Sequence, residues 1–208
     1  MASINSRASI CNSPVNPAKY FLEVSNAITI YTWDAEDQLL RVETAPGLLL
    51  PTTVIAEYGY DALGRRHRKT TATKDVRYYH LGAQVHVERD LISNDETVYT
   101  YEPGIDNPIR LQRDTEDYYY IRDGLGSVTD LVDATGNLVQ SYVYDSFGDQ
   151  RVYDNLGTEL TQDQAVKNSY TYTGRVFESE TGLYYYRARW YDSGQGRFLS
   201  KDAIRIQF

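Results

Sequence analysis

Gly182-Leu183-Tyr184-Tyr185-Tyr186-Arg187-Ala188-Arg189-Trp190-Tyr191-Asp192, followed by Ser193-Gly194-Gln195-Gly196-Arg197-Phe198-Leu199-Ser200-Lys201-Asp202, is the stretch that decides the fold. An aromatic strand, an Asp/Gly corner and a second short strand make a β-hairpin. The same corner recurs upstream as Tyr60-Asp61-Ala62-Leu63-Gly64 and Tyr144-Asp145-Ser146-Phe147-Gly148. Its Asp-x-x-Gly part returns from Asp123 to Gly126 and from Asp133 to Gly136. Trp33-Asp34-Ala35-Glu36-Asp37 is a copy with Asp in place of Gly, and Asp192 to Gly196 is a copy one residue longer. The Asp side chain accepts hydrogen bonds from amides two residues on. The Gly supplies the positive φ that closes the turn. Each unit is then a hairpin that cannot bury its own apolar face and must stack on neighbours.

The spacing predicts an all-β protein of antiparallel hairpin repeats forming a curved, partly open ribbon. Strands are expected near 28–33, 38–43, 53–60, 65–71, 76–80, 84–89, 97–101, 109–113, 117–121, 127–132, 137–144, 169–173, 183–191 and 197–201. The polar stretch 149–168 reads as a long loop or short helix. Residues 1–27 are expected to be poorly ordered.

The 208 residues hold 20 Tyr but one Met and one Cys, and 41% are hydrophobic. Tyr pairs an apolar body with a polar tip and suits half-buried sheet better than a deep core. The net charge of −8 argues against a nucleic-acid partner. The lone Cys11 forms no internal disulfide, no apolar run reaches a membrane-spanning length, and no secretory signal is visible.

Little catalytic chemistry is legible. His67, His80 and His86 lack metal-ligand spacing, and no metal or cofactor is expected. The basic run Arg65-Arg66-His67-Arg68-Lys69 reads as a strand wetted on both faces. Such a sheet would enclose solvent instead of a packed core. In the terminal hairpin, setting Asp192 opposite Arg197 places Asp202 opposite Arg187 and diagonal to Arg189.

The closing stretch, with Tyr118-Tyr119-Tyr120 and the turns at Asp123, Asp133 and Asp145, resembles the repeat-associated core of the Rhs/YD-repeat family. This core belongs to the shell of bacterial polymorphic toxins. On this resemblance residues 28–116 are degenerate YD-repeat strands, 117–203 the core and 204–208 a divergent tail. The resemblance implies a hollow β-shell that holds a toxic domain and releases it by aspartyl-type self-cleavage. It maps two remnants of the cleavage site, Arg189 and Asp202. Ala203-Ile204-Arg205-Ile206 replaces the family's Pro-x-Gly-Leu after that aspartate, and the second such motif is missing. Self-cleavage and a toxin are therefore not expected on this chain, which reads as a truncated piece of a shell.

The expected role is structural. These fourteen short strands are too few to close a container and leave open edges, which implies pairing with a longer YD-repeat chain or self-association. An alternative is a carbohydrate- or cell-surface-binding module using the Tyr184-Tyr185-Tyr186 strand. A third is a residual hydrolase built on Asp202 and Arg189. The family implies a bacterial secreted or cell-surface setting.

Overall fold

A computed structural model describes residues 10–11, 19–24, 27–47 and 49–201. Among them, fourteen strands form one antiparallel sheet in which every strand pairs with its neighbour in sequence. The strands are β1 (Ile10–Cys11), β2 (Lys19–Val24), β3 (Ala27–Trp33), β4 (Leu39–Ala45), β5 (Thr53–Tyr60), β6 (Arg66–Thr70) and β7 (Asp75–Leu81). They continue with β8 (Gln84–Asp90), β9 (Glu96–Tyr101), β10 (Pro108–Arg113), β11 (Glu116–Arg122), β12 (Val128–Asp133), β13 (Leu138–Tyr144) and β14 (Gln150–Asp154). A second, four-stranded sheet holds β15 (Val176–Glu178), β16 (Leu183–Tyr185), β17 (Trp190–Asp192) and β18 (Arg197–Phe198). The fold is all-β with a large open sheet.

The turns show how Asp and Gly divide the work. Asp61 Oδ1 accepts from the amides of Leu63 and Arg65 at 2.9 Å each, and the Gly64 amide donates to the Asp61 carbonyl. The same bonds recur at Asp123 and Gly126, Asp133 and Gly136, and Asp145 and Gly148. In the longer turn, Asp192 Oδ1 accepts from the Gln195 amide while Gly196 donates to Ser193. At Asp37 a φ of 60° takes over the role of glycine, which Asp tolerates better than most residues.

Five successive hairpins, β3–β4 through β11–β12, carry one additional residue on the returning strand directly after the turn. In β5–β6, for example, Tyr60 pairs with Arg66 but Gly59 with Arg68, so His67 is the bulged residue. A bulge breaks the two-residue alternation. Arg66 and Lys69 consequently face the same buried side. The basic run is thus not wetted on both faces.

The aromatic residue before a turn also ties back to the preceding hairpin. The hydroxyls of Tyr60, Tyr101 and Tyr144 donate to the carbonyls of Leu39, Val85 and Val128 at 3.0, 2.5 and 2.6 Å. Each accepting carbonyl lies immediately before a bulge. Tyrosine is needed here because its ring packs in the interior while its tip reaches the neighbouring backbone.

The inner face of the large sheet is packed, not solvent-filled. Tyr58, Tyr99, Leu111, Tyr120, Leu131 and Tyr142 join Tyr170, Val176, Leu183, Tyr185 and Trp190 in one buried cluster. Adjacent residues of β16 point to opposite sides, yet Tyr184 reaches Gly148 after β13 while Tyr185 meets Tyr60 of β5. The large sheet therefore curls around the small one as a wall around a plug.

Three further expectations are corrected. The stretch 149–168 contributes β14 and a further turn, in which Asp154 Oδ1 accepts from Leu156 and Thr158. Where a strand was expected at 169–173, Tyr170 makes an isolated bridge and Tyr172–Gly174 forms a 3-10 turn. The expected strand 183–191 is two strands, broken where Arg187 takes a φ of 65°.

Candidate functional site: the seat of the C-terminal sheet

The wall presents three cations to the plug from β6 and the turn after it. Arg66 Nη1 lies 2.5 Å from Glu178 Oε1, and both side chains are almost fully buried. Lys69 Nζ lies 2.7 Å from Glu178 and 3.3 Å from Glu180, and Lys74 Nζ lies 2.7 Å from Glu180. The charges alternate along a line, with every cation on the wall and every carboxylate on the plug. The Arg66 guanidinium also lies 4.5 Å from the ring centres of Tyr78 and Tyr185, a cation–π arrangement. Burial works most strongly against the charge on Lys69, but Glu178, Tyr78 and Glu180 together outweigh it and hold the ammonium protonated.

A second contact reverses the polarity. Asp106, in the wall turn after β9, receives Arg187 through Nε at 3.2 Å and Nη2 at 2.5 Å, and Arg175 pairs with the same carboxylate. Arg187 thus has Asp106 as a partner, and Asp202, which the extended hairpin register set opposite it, lies outside the described residues. Arg187 sits in the turn between β16 and β17, which carries its side chain toward the wall. Asp192 does pair with Arg197 and Tyr191 with Phe198.

Neutral contacts fill the space between these ion groups. Trp190 lies 4.5 Å from Tyr58 and 5.1 Å from Tyr185 between ring centres, and its Nε1 donates to the Tyr60 hydroxyl at 3.2 Å. Tyr170 and Tyr101 share a hydroxyl hydrogen bond of 2.8 Å. Asn168 accepts from Tyr120 and donates to Tyr142. Cavities of about 390 and 500 Å³ remain between wall and plug. These match small-molecule pockets and are far too small for a folded domain.

Of the family's cleavage remnants, Arg189 lies over the Phe198 ring at 3.7 Å. Asp202 lies outside the described residues. The strand considered for sugar stacking is largely occupied, because Tyr184 and Tyr185 are buried within the seat. The ion groups went unrecognised in the sequence because Lys69 and Glu178 are 109 positions apart. A basic run on one strand and scattered Glu residues were the available signals.

The carboxylates make the seat sensitive to acid. Glu180 is partly buried, which works against its charge, yet Lys69 and Lys74 hold it down to about 2. Asp133, hydrogen-bonded by Thr135 and Asn137, is also held at about 2, and the amides of their turns lower Asp145 and Asp154. A depressed folded pKa stabilises above the unfolded value and is lost as pH falls through the folded one. Burial raises Glu88 instead, giving a term that is lost as pH rises. The depressed group dominates on the acid side. The melting temperature is expected to fall between about pH 4.5 and 2, and Glu180→Gln should flatten that fall. A melting curve unchanged over this range would contradict the assignment.

A teneurin YD-shell family model matches residues 22–207. The chain belongs to that family and is an Rhs/YD-repeat shell domain of the kind found in toxin-associated proteins. It is similar to the tRNA nuclease WapA of Bacillus subtilis strain 168, with 35% identity covering 83% of this chain and 7% of WapA. It is also similar to the probable deoxyribonuclease RhsA of Dickeya dadantii, with 29% identity covering 85% of this chain and 12% of RhsA. The crystal structure of TcdB2-TccC3-Cdc42 matches with a TM-score of 0.63 and 20% identity, covering 84% of this chain and 9% of that chain. This likeness carries the fold. Among the described residues, no helix is long and apolar enough to cross a membrane.

Proposed function

We propose that this chain is the terminal arc of a toxin-enclosing β-shell together with the plug that seats in it, and that its role is structural. The observation that supports this reading is the two-ended seat: wall cations meet plug carboxylates at Glu178 and Glu180, and the polarity reverses at Asp106. Opposed ion groups fix a register that apolar contact alone leaves loose. On this reading any cargo occupies space built by further strands, since the cavities between wall and plug hold no more than a small molecule. Among the described residues β1 pairs with β2 alone, and the sheet can take such strands there. The part shared with WapA is then wall, and nuclease activity belongs elsewhere in that relative. The family's setting, secreted or on the bacterial surface, follows with the role.

Association is the test. A tagged copy is expected to form a stoichiometric complex with a co-expressed YD-repeat polypeptide supplying the strands that precede this region in a longer relative. A chain that stays alone beside that polypeptide would overturn the reading. Because Ala203-Ile204-Arg205-Ile206 replaces the family's cleavage motif, the chain is also expected to remain intact. Mass spectra after long incubation should match those of Asp202→Asn, and a shorter product present only in the parent would restore self-cleavage.

A further inference from the structure

In a sheet whose strands follow chain order, every connection from an odd to an even strand lies on one rim. From β5 onward, five successive connections on this rim each present a large apolar side chain. Leu63, Leu81, Ile105, Leu125 and Phe147 expose between 56% and 78% of their surface. Turns ordinarily favour Gly, Pro, Asn, Asp and Ser, and a row of exposed apolar groups marks an interaction surface. Neighbouring members stand two strands apart, ~9.6 Å.

The row is held stiff from turn to turn. Arg65 donates to the Gly82 carbonyl at 2.7 Å, and Gln84 to the Gly104 carbonyl at 2.7 Å. Arg122 donates to Asn107 at 3.0 Å and Glu102 at 2.8 Å. Four of the five apolar residues directly precede a glycine with positive φ: Gly64, Gly82, Gly126 and Gly148. A side chain added at Gly82 or Gly126 would meet nothing within 4 Å. The turns at Leu81 and Leu125, which flank the one at Ile105, thus each offer an apolar knob beside an open notch, whereas Gln38 and Tyr172 fill the corners at Gly64 and Gly148.

The molecule contains one example of such a knob being received. The plug turn at residues 193–196 sits on Phe147. A Cβ built on Gly196 would lie 2.8 Å from the Phe147 ring, and the Tyr191 hydroxyl donates to the Phe147 carbonyl at 2.9 Å. One Asp/Gly turn here seats the apolar residue of another in its glycine corner. The rest of the row continues from this contact.

We propose that this rim is an interface for the same rim of a second copy of the chain, with knobs seated in glycine notches across a two-fold axis. A surface carrying both knob and notch in one repeat is self-complementary, as a two-fold interface requires. The middle turn of the row, at Ile105, then faces its own copy. This extends the shell reading to a surface other than the β1 edge, so the two succeed or fail separately.

The probe is the chain itself, in a Cys11→Ser background carrying Ile105→Cys. Oxidation is expected to give a disulfide-linked dimer, whereas Thr135→Cys on the opposite rim gives none. Sedimentation of the parent should show a reversible dimer that tightens with added salt, because Asp123 and Asp145 lie in both rims and their repulsion is screened. Leu63→Ser/Leu81→Ser/Leu125→Ser should weaken the dimer on the order of 100-fold through lost apolar burial. These residues are exposed, so an unchanged melting temperature separates lost association from lost folding. A parent that stays monomeric, equal cross-linking through Thr135→Cys, or a dimer indifferent to the three serines would overturn the proposal.

Discussion

Replacing Glu178 with Ala is expected to cost about 3–5 kcal/mol and to unseat the C-terminal sheet. The change leaves Arg66 almost wholly buried without its partner carboxylate, and removes from Lys69 the closer of its two. A buried charge stripped of its partner keeps its desolvation penalty and loses the attraction that offset it. The ion group is not a large net source of stability, however, because a buried pair replaced on both sides by apolar residues is often close to neutral. The paired variant Arg66→Met/Glu178→Leu should therefore be far less damaging than Glu178→Ala. Urea midpoints measure the loss, and proteolysis in residues 155–168 reports whether the plug has left. A single change costing under about 1 kcal/mol would mean the ion line does not govern seating.

Trp190→Ala is the second large effect, expected at about 3–5 kcal/mol. The indole is fully buried, contacts Tyr58 and Tyr185, and hydrogen-bonds to the Tyr60 hydroxyl. Deleting it opens a hole that a wall fixed by interstrand hydrogen bonds cannot close. Trp190→Phe keeps most of the packing and should cost less. Its remaining penalty comes from the lost bond to Tyr60, so Tyr60→Phe should cost less in that background than in the parent, where it breaks the bond to Trp190 as well as the tie to Leu39. Thermal or denaturant unfolding measures each term, and a cost for Trp190→Ala no greater than for Trp190→Phe would exclude the cavity account.

The local turn chemistry was legible because it is written in adjacent residues. Asp61 with Gly64 and Asp145 with Gly148 carry their bonds within five positions, and the strands between them follow. Three things were hidden. Gln150-Arg151-Val152-Tyr153-Asp154 lacks apolar alternation and becomes a strand by pairing with β13, so its Asp154 turn passed for loop. The break at Arg187 has no glycine to announce it, and its positive φ accompanies a contact with Asp106, 81 positions away. The bulge at His67 brings Arg66 and Lys69 to one side, where strict alternation separates them. The family resemblance implied that the core segment plugs one end of the shell, but the residues gave no boundary between wall and plug, since the same Asp/Gly corner serves both sheets.

Strict chain order in the large sheet has a consequence for synthesis. Each hairpin finds its neighbour as soon as it leaves the ribosome, because the preceding strand is already waiting. Such short-range contacts assemble quickly, and the amino-terminal parts fold first. The tyrosine ties run in the same direction, each reaching back to a hairpin made earlier. Glu178, Arg187 and Trp190 emerge only after the wall strands that receive them, into a mould already laid down.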